Sequence, residues 1–118
     1  MPNRAWAKIW KRFRLYFIRD SDDLTEESDK DFELVFADVK KRSAYEIQVT
    51  GHTDTTGEET YNAELSIQRA EAIRDRLVSR GIDAALIEVY GRGEWDLFIR
   101  TKDEFTEPRN RRVEVMVR

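Results

Sequence analysis

The sequence predicts an α+β fold, a two-layer sandwich in which about four strands form a mixed sheet and two main helices cover one face. Three observations predict it. Short segments alternate apolar and polar residues, and two longer segments between them carry apolar residues at helical spacing. The 118 residues make one domain, because a chain of this length buries roughly two thirds of its unfolded surface. The predicted order is β-α-β-α-β-β, and helix-joined strands favour parallel or crossover pairing.

The first strand and the first helix have clear local signals. Residues 13–18 (FRLYFI) are rich in aromatic and branched side chains, which is typical of a strand. After a polar turn, Thr25 offers an N-cap for a helix over residues 26–42, whose acidic start and basic end suit the helix dipole. The apolar face of this helix is formed by Phe32, Val35, Phe36 and Val39.

The second half of the chain predicts one more helix and three more strands. A helix over residues 59–80 places Ala70, Ile73 and Leu77 on one face, and Gly81 follows as its C′ glycine. The predicted strands are 45–50, 87–90 and 113–117, with glycines at 91 and 93 closing the second of them and a long connection over residues 94–109.

Composition excludes several classes of function. Acids outnumber bases by 24 to 21, which argues against a nucleic-acid binder. The absence of cysteine excludes disulfides, thiol catalysis and thiolate metal sites. His52 is the only histidine, has no serine or cysteine partner at a recognisable spacing, and is expected to pack or hydrogen-bond at its strand end. We therefore predict a protein that is not an enzyme and that needs no cofactor and no metal.

The N-terminal residues 1–12 are predicted to be an extension of a domain over residues 13–118. Within residues 4–13, Trp6, Ile9, Trp10 and Phe13 occur at helical spacing with basic residues between them. This segment is either an amphipathic membrane-surface or partner-binding segment, or an extension that packs its tryptophans on the domain. We expect the second. No run reaches the roughly 18–20 apolar residues of a membrane span, and the start lacks signal-peptide features.

The segment from Gly51 to Ala70 carries the chemistry that most suggests function. Asp54 lies in the turn after a strand, and a helix then carries Asn62, Leu65 and Arg69 on adjacent turns of one side. A carboxylate binds an ammonium, a guanidinium binds a carboxylate in bidentate fashion, and an amide fixes orientation. This set suits a free amino-acid terminus. Taken singly, Asp54 is better explained as an Asx-turn residue and Arg69 as a surface helix residue, and only their joint pattern favours a binding site.

Three ordered motifs carry a resemblance to a known family. They are GHTD-x₂-G-x₃-YN-x₂-LS-x₂-RA, then RGI-x₄-I-x₂-YGRGE, then EPRNRRVEV. From about Leu15 to Arg118 the chain resembles the OmpA-like peptidoglycan-binding domain. The resemblance implies a periplasmic cell-wall anchor that grips the meso-diaminopimelate of the peptidoglycan stem peptide. It also implies a tether to a membrane through a part outside this sequence, and possible protein partners in the envelope.

The resemblance implies a set of ligand-binding residues: Asp54, Thr56, Asn62, Leu65, Arg69 and Arg111. Asp54 would hold the diaminopimelate ammonium and Arg69 its carboxylate. Asn62 would line the pocket beside the apolar wall of Leu65, and Thr56 would add a hydroxyl. Arg111 either reaches the site from the last strand or forms an ion pair with a nearby acid.

Two segments depart from the family pattern. Residues 17–21 (FIRDS) keep only part of the usual Phe-Asp-Phe-Asp-Ser-like run, since Ile18 replaces a common acid and Arg19 adds a charge. The loop after Glu94 carries Trp95, Leu97 and Phe98 and either covers the pocket or packs on the sheet; we expect packing. The first-strand departure and the Trp-rich N-terminus fit a second hypothesis, a protein–protein docking module of an envelope complex with a drifted or lost peptidoglycan pocket.

Overall fold

The structure, a computed structural model, describes residues 10–52, 59–93 and 111–118. Its elements are β1 (Lys11–Tyr16), α1 (Glu26–Lys40), β2 (Ile47–His52), α2 (Glu59–Ser79), β3 (Ile87–Gly93) and β4 (Arg112–Val117), with a short 3₁₀ turn at Ala84–Leu86. The predicted α+β order is confirmed. Within these described ranges, neither helix is both long enough and apolar enough to cross a bilayer.

The four strands form one mixed sheet in the order β1-β4-β2-β3. The last strand of the chain lies between the first two, antiparallel to both. β2 and β3, which α2 connects, pair in parallel. The mixed sheet predicted from the sequence is therefore confirmed, and it arises because β4 returns to the middle of the sheet.

Alternation along the strands directs apolar side chains to one face, where both helices pack on them. This core contains Leu15, Phe32, Val35, Val39, Ile47, Val49, Ala70, Ile73, Leu77, Val113, Val115 and Val117, each at most 1% exposed. The predicted apolar faces of both helices thus meet one side of the sheet, which gives the two-layer arrangement.

Both helices have the terminal structures that their sequences predict. The Thr25 Oγ1 accepts a hydrogen bond from the Ser28 backbone N–H at 3.2 Å and so caps α1. At the end of α2, Gly81 adopts a φ of +98°, and the Ile82 N–H donates to the Leu77 carbonyl at 3.1 Å. A glycine at this position accepts the left-handed conformation without strain.

The predicted bounds of the first strand were wrong by two residues at each end. β1 starts at Lys11 because its ladder with β4 runs from Lys11–Val117 to Tyr16–Arg112. Phe17 makes only an isolated bridge beyond it. The helical spacing assigned to residues 4–13 therefore fails over residues 11–13, while residues 1–9 lie outside the described ranges. The division of the chain at residues 12 and 13 stays a prediction.

Trp10, the residue directly before β1, lies against the end of the sheet. Its ring is 4.4 Å from the guanidinium of Arg118, and the residue is half-buried. The Arg118 guanidinium is itself paired with Glu46 at 2.9 Å. For this tryptophan, the expectation that it packs on the domain agrees with the structure.

Smaller shifts affect the other elements. α1 ends two residues and α2 one residue earlier than predicted. β2 begins and ends two residues later than predicted. β3 does not close at residue 91 but continues to Gly93, because parallel pairing with β2 persists through Gly51–Gly91 and His52–Gly93. The apolar loop with Trp95 lies outside the described ranges.

Candidate ligand-binding site

The site is built where α2 rests on the ends of β2 and β3. A Cβ added at Gly51 would overlap the backbone carbonyl of Ser66, and one added at Gly91 would overlap the side chain of Ile67. Gly51 and Gly91 are partners in the parallel register. This glycine pair lets the helix backbone approach the sheet directly, and it thereby fixes the position of Arg69, less than one turn further along α2.

Arg69 links three segments through its guanidinium. The side chain donates from Nη1 to the His52 carbonyl at 3.0 Å, from Nε to the Ser21 carbonyl at 2.9 Å and from Nη2 to the Ile18 carbonyl at 3.3 Å. Its guanidinium lies 5.2 Å from the Phe17 ring centre, and the residue is only 1% exposed. The alternative that Arg69 is a plain surface helix residue is therefore wrong.

The loop between β1 and α1 is held by its own hydrogen bonds. The Ile18 N–H donates to the Asp23 carbonyl at 3.0 Å, and the Asp23 N–H donates to the Ser21 Oγ at 2.8 Å. Asp20 turns the chain at a φ of +54°, a left-handed conformation that aspartate tolerates. This bracing keeps the carbonyls of Ile18 and Ser21 directed at Arg69.

Asn62 and Leu65 precede Arg69 on the same buried side of α2. They are 2% and 6% exposed, respectively. Their spacing of i, i+3 and i+7 stacks the three side chains along the helix. The structure thus brings together an amide, an apolar side chain and a guanidinium, as the sequence predicts for this side of α2.

Arg111 occupies the position directly before β4. Its backbone carbonyl accepts a hydrogen bond from the Phe17 N–H at 2.8 Å. The half-buried residue lines a cavity of about 380 Å³ at the start of α1. The other lining residues are Tyr16, Phe17, Thr25, Glu27, Ser28 and Asp31. Phe17 also contacts Arg69, so it is a neighbour of both Arg69 and Arg111.

Two predicted site residues, Asp54 and Thr56, lie outside the described ranges.

The carboxylate residue Glu114 of β4 lies beside β2, opposite Thr50 in the strand register. Burial alone would raise the pKa of Glu114. The hydrogen bond from the Arg112 Nε at 2.8 Å and the charges of Arg112, His52 and Arg12 outweigh burial and lower that pKa. Glu114 is consequently an anion at neutral pH. His52 itself is 1% exposed, which confirms that it packs at its strand end.

The sequence motifs missed the acceptors that position Arg69. Ile18, Ser21 and His52 all contribute backbone carbonyls, which any residue type supplies. The partial FIRDS run is the sequence signal nearest to these carbonyls, but its side chains do not reveal them. Because Ile18 acts through its carbonyl, the loss of a family acid at this position leaves that contact in place.

The OmpA family model matches residues 16–111. The chain belongs to the OmpA family. This member of the OmpA family is 32% identical over 116 residues to outer membrane protein A of Bordetella avium, an alignment that covers 98% of the chain. It is 37% identical over 71 residues, 60% of the chain, to the peptidoglycan-binding protein ArfA of Mycobacterium tuberculosis.

Among solved structures, this OmpA-family chain is similar to the peptidoglycan-associated lipoprotein of Burkholderia pseudomallei. The TM-score is 0.79 at 28% identity, and the match covers 92% of this chain and 91% of that one. The chain spans 60% of the length of the Bordetella relative and 22% of the length of ArfA. The family resemblance predicted from the motifs and the predicted fold class are confirmed.

Proposed function

We propose that this OmpA-family chain binds peptidoglycan non-covalently and anchors a cell-envelope protein to the cell wall. Family membership supports the proposal, as does the likeness to a relative named as peptidoglycan-binding and to a lipoprotein named as peptidoglycan-associated. The corresponding location is the periplasm, with a membrane tether supplied by a part of the protein outside this sequence. The role is one of binding, without catalysis.

The proposed ligand is the diaminopimelate of the stem peptide, which carries an ammonium and a carboxylate on one carbon. In this proposal Arg69 binds the carboxylate and Asp54 the ammonium. Asn62 orients the ligand, Leu65 forms the apolar wall, and Thr56 and Arg111 add polar contacts at the rim.

The observation that carries the proposal is the fixed guanidinium of Arg69. Its carbonyl partners Ile18, Ser21 and His52 hold the group in one orientation, so ligand binding would cost little side-chain entropy. Its burial removes competing water, which strengthens a charge-assisted hydrogen bond to a carboxylate.

A single stem peptide should bind weakly. We expect dissociation constants in the micromolar to millimolar range, roughly −4 to −8 kcal/mol. Peptidoglycan presents many stems on one polymer, and several anchored copies of the domain would bind it through avidity. Because each contact is weak, the domain can release one stem peptide and bind another while the protein stays anchored.

Co-sedimentation with purified sacculi tests the proposal. Arg69→Ala and Asp54→Ala should each abolish sedimentation. The matched control Arg80→Ala, at an exposed residue directly after the same helix, should sediment like the unmodified chain. Unchanged sedimentation of both site variants would overturn the proposal. Circular dichroism of each variant identifies losses of binding that come from unfolding, because Arg69 also holds the fold together.

A further inference from the structure

A second concave surface lies beside the β1–α1 loop, and we call it the acidic groove. It runs between this loop and the two helices and has a volume of about 500 Å³. Its lining residues are Ile18, Asp22, Asp23, Leu24, Glu26, Asp29, Ala72, Ile73 and Arg76. Asn62, Leu65 and Arg69 are not among them, so the side chains of the groove differ from those of the candidate site. The two surfaces share the β1–α1 loop, in which the Ile18 carbonyl accepts from Arg69.

The groove concentrates the negative charge of the chain. Its lining has four carboxylates and one guanidinium, a formal charge of −3, which equals the net charge of −3 of all 118 residues. The remainder of the sequence is therefore balanced in charge. A cationic partner is attracted to this local excess of negative charge.

Most of these carboxylates are available to a partner. Arg76 is already paired with Asp29 at 2.9 Å and stacks 4.1 Å from the Phe32 ring. Among the described residues, Asp22 and Asp23 have no ion-pair partner, and both are exposed. The single base of the groove thus neutralises one acid and leaves the loop carboxylates to recognise positive charge.

The floor of the groove is apolar. Ile18 is 52% exposed although its neighbour Phe17 is 2% exposed, and Leu24, Ala72 and Ile73 continue the apolar lining. A metal ion does not fit such a floor, since hard cations need six or more oxygen ligands. In keeping with this, no group of three or more acidic or histidine side chains within the described ranges is arranged to hold a metal.

We propose that the acidic groove docks a basic peptide segment of a partner protein, in which lysine or arginine residues flank an apolar side chain. The apolar side chain contacts Ile18 and Leu24, and the flanking cations pair with Asp22, Asp23 and Glu26. Charge complementarity supplies orientation and the association rate, while apolar burial supplies retention. The side chains that would bind the peptide differ from those of the proposed peptidoglycan site, although both surfaces use the β1–α1 loop.

The proposal is tested by fluorescence anisotropy with a labelled peptide of sequence Lys-Leu-Lys-Lys-Leu-Lys and the whole chain. Asp22→Asn with Asp23→Asn should weaken binding by about tenfold, which corresponds to about 1.4 kcal/mol. The matched control, Glu71→Gln with Asp75→Asn, removes the same charge from carboxylates that pair with Arg74 outside the groove and should change binding less than about twofold.

Two further experiments distinguish specific binding in the groove from general attraction between opposite charges. Ile18→Ser should weaken the peptide several-fold, and spermine, which has charge without apolar side chains, should compete poorly. No binding of the peptide, equal losses in the two carboxylate pairs, or full competition by spermine would each overturn the proposal. The single variant Asp22→Asn, at a residue outside the hydrogen bonds that brace the loop against Arg69, should still sediment with sacculi. Asp54→Ala should still bind the peptide, so failure of either proposal is distinguishable from failure of the other.

Discussion

Arg69 lies within α2 and Arg80 directly follows it, and the two use the same functional group in opposite ways. Arg80 forms a bidentate pair with Glu33 at 2.7 and 3.0 Å across the exposed edge of the helices, and it lies 4.0 Å from the Phe36 ring. Arg69 is 1% exposed and donates to three backbone carbonyls. The two arginines differ chiefly in burial, and burial decides how much each set of hydrogen bonds contributes to stability. Water replaces the partners of Arg80, but it cannot readily replace those of Arg69.

Replacing the buried arginine should have the largest effect on stability. Arg69→Ala leaves the carbonyls of Ile18, Ser21 and His52 without this donor, and we expect a loss of about 3 kcal/mol or more in the free energy of unfolding. Urea denaturation measures it. Arg80→Ala is the control and should shift the midpoint far less, because its partner is exposed. Equal shifts would remove the distinction between the two arginines.

The close approach that positions Arg69 can be tested at the sheet. Gly51→Ala would drive a methyl group into the Ser66 carbonyl and should cost about 1–3 kcal/mol through backbone displacement. Gly81→Ala is a useful comparison, because it strains a φ of +98° in open space and should cost only about 1–2 kcal/mol. A Gly51→Ala variant of unchanged stability would mean that α2 does not rest on the sheet as described.

The start of α1 contributes to the same loop and should have a smaller effect. Thr25→Ala removes the N-cap acceptor of the Ser28 N–H and should cost about 1 kcal/mol, whereas Thr25→Ser should retain most of the stability. Thermal unfolding measures both. Equal losses in the two variants would show that the hydroxyl does not act as a cap.

The smallest expected effects concern two carboxyls whose pKa values arginine lowers. The Arg80 hydrogen bond lowers the pKa of Glu33, and Arg112 outweighs burial to lower that of Glu114. A lowered folded-state pKa gives stability that is present above the unfolded value, near 4.3, and is lost as pH falls through the folded value. The free energy of unfolding of Glu114→Gln and of Glu33→Gln should therefore be lower than that of the unmodified chain at pH 7. In stronger acid the difference should disappear.

The stability effects of the two substitutions should depend differently on salt. About 1 M salt shortens the screening length to about 3 Å and should abolish the effect of Glu33→Gln, because that pair is exposed. Much of the effect of Glu114→Gln should persist, because Glu114 and Arg112 are mostly buried. Urea midpoints at low and high salt measure both, and identical salt dependence would contradict the assigned environments.

The sequence predicted the elements well because periodicity reports which face of each element is buried. Phe32, Val35 and Val39 are in the core as their spacing requires. Strand ends were misplaced because a strand ends where its partner ends. The ladder with β4, which the local sequence does not contain, sets Lys11 and Tyr16 as the limits of β1.

The candidate site was predictable only in part, for a related reason. Asn62, Leu65 and Arg69 follow from helical spacing, and the family motifs singled them out. The carbonyls that hold Arg69 come from Ile18, Ser21 and His52, and backbone acceptors leave no trace in residue type. The burial of Arg69 likewise depends on the approach of α2 at Gly51, a tertiary contact.

Calorimetric titration of the unmodified chain tests the central claim most directly, since the protein stays intact and only the ligand changes. The two ligands are a diaminopimelate stem peptide with a free carboxylate and the same peptide with that carboxylate amidated. If Arg69 binds the carboxylate, amidation should weaken binding by at least about tenfold, or about 1.4 kcal/mol. Equal affinity for the free and the amidated peptide would contradict the role assigned to Arg69.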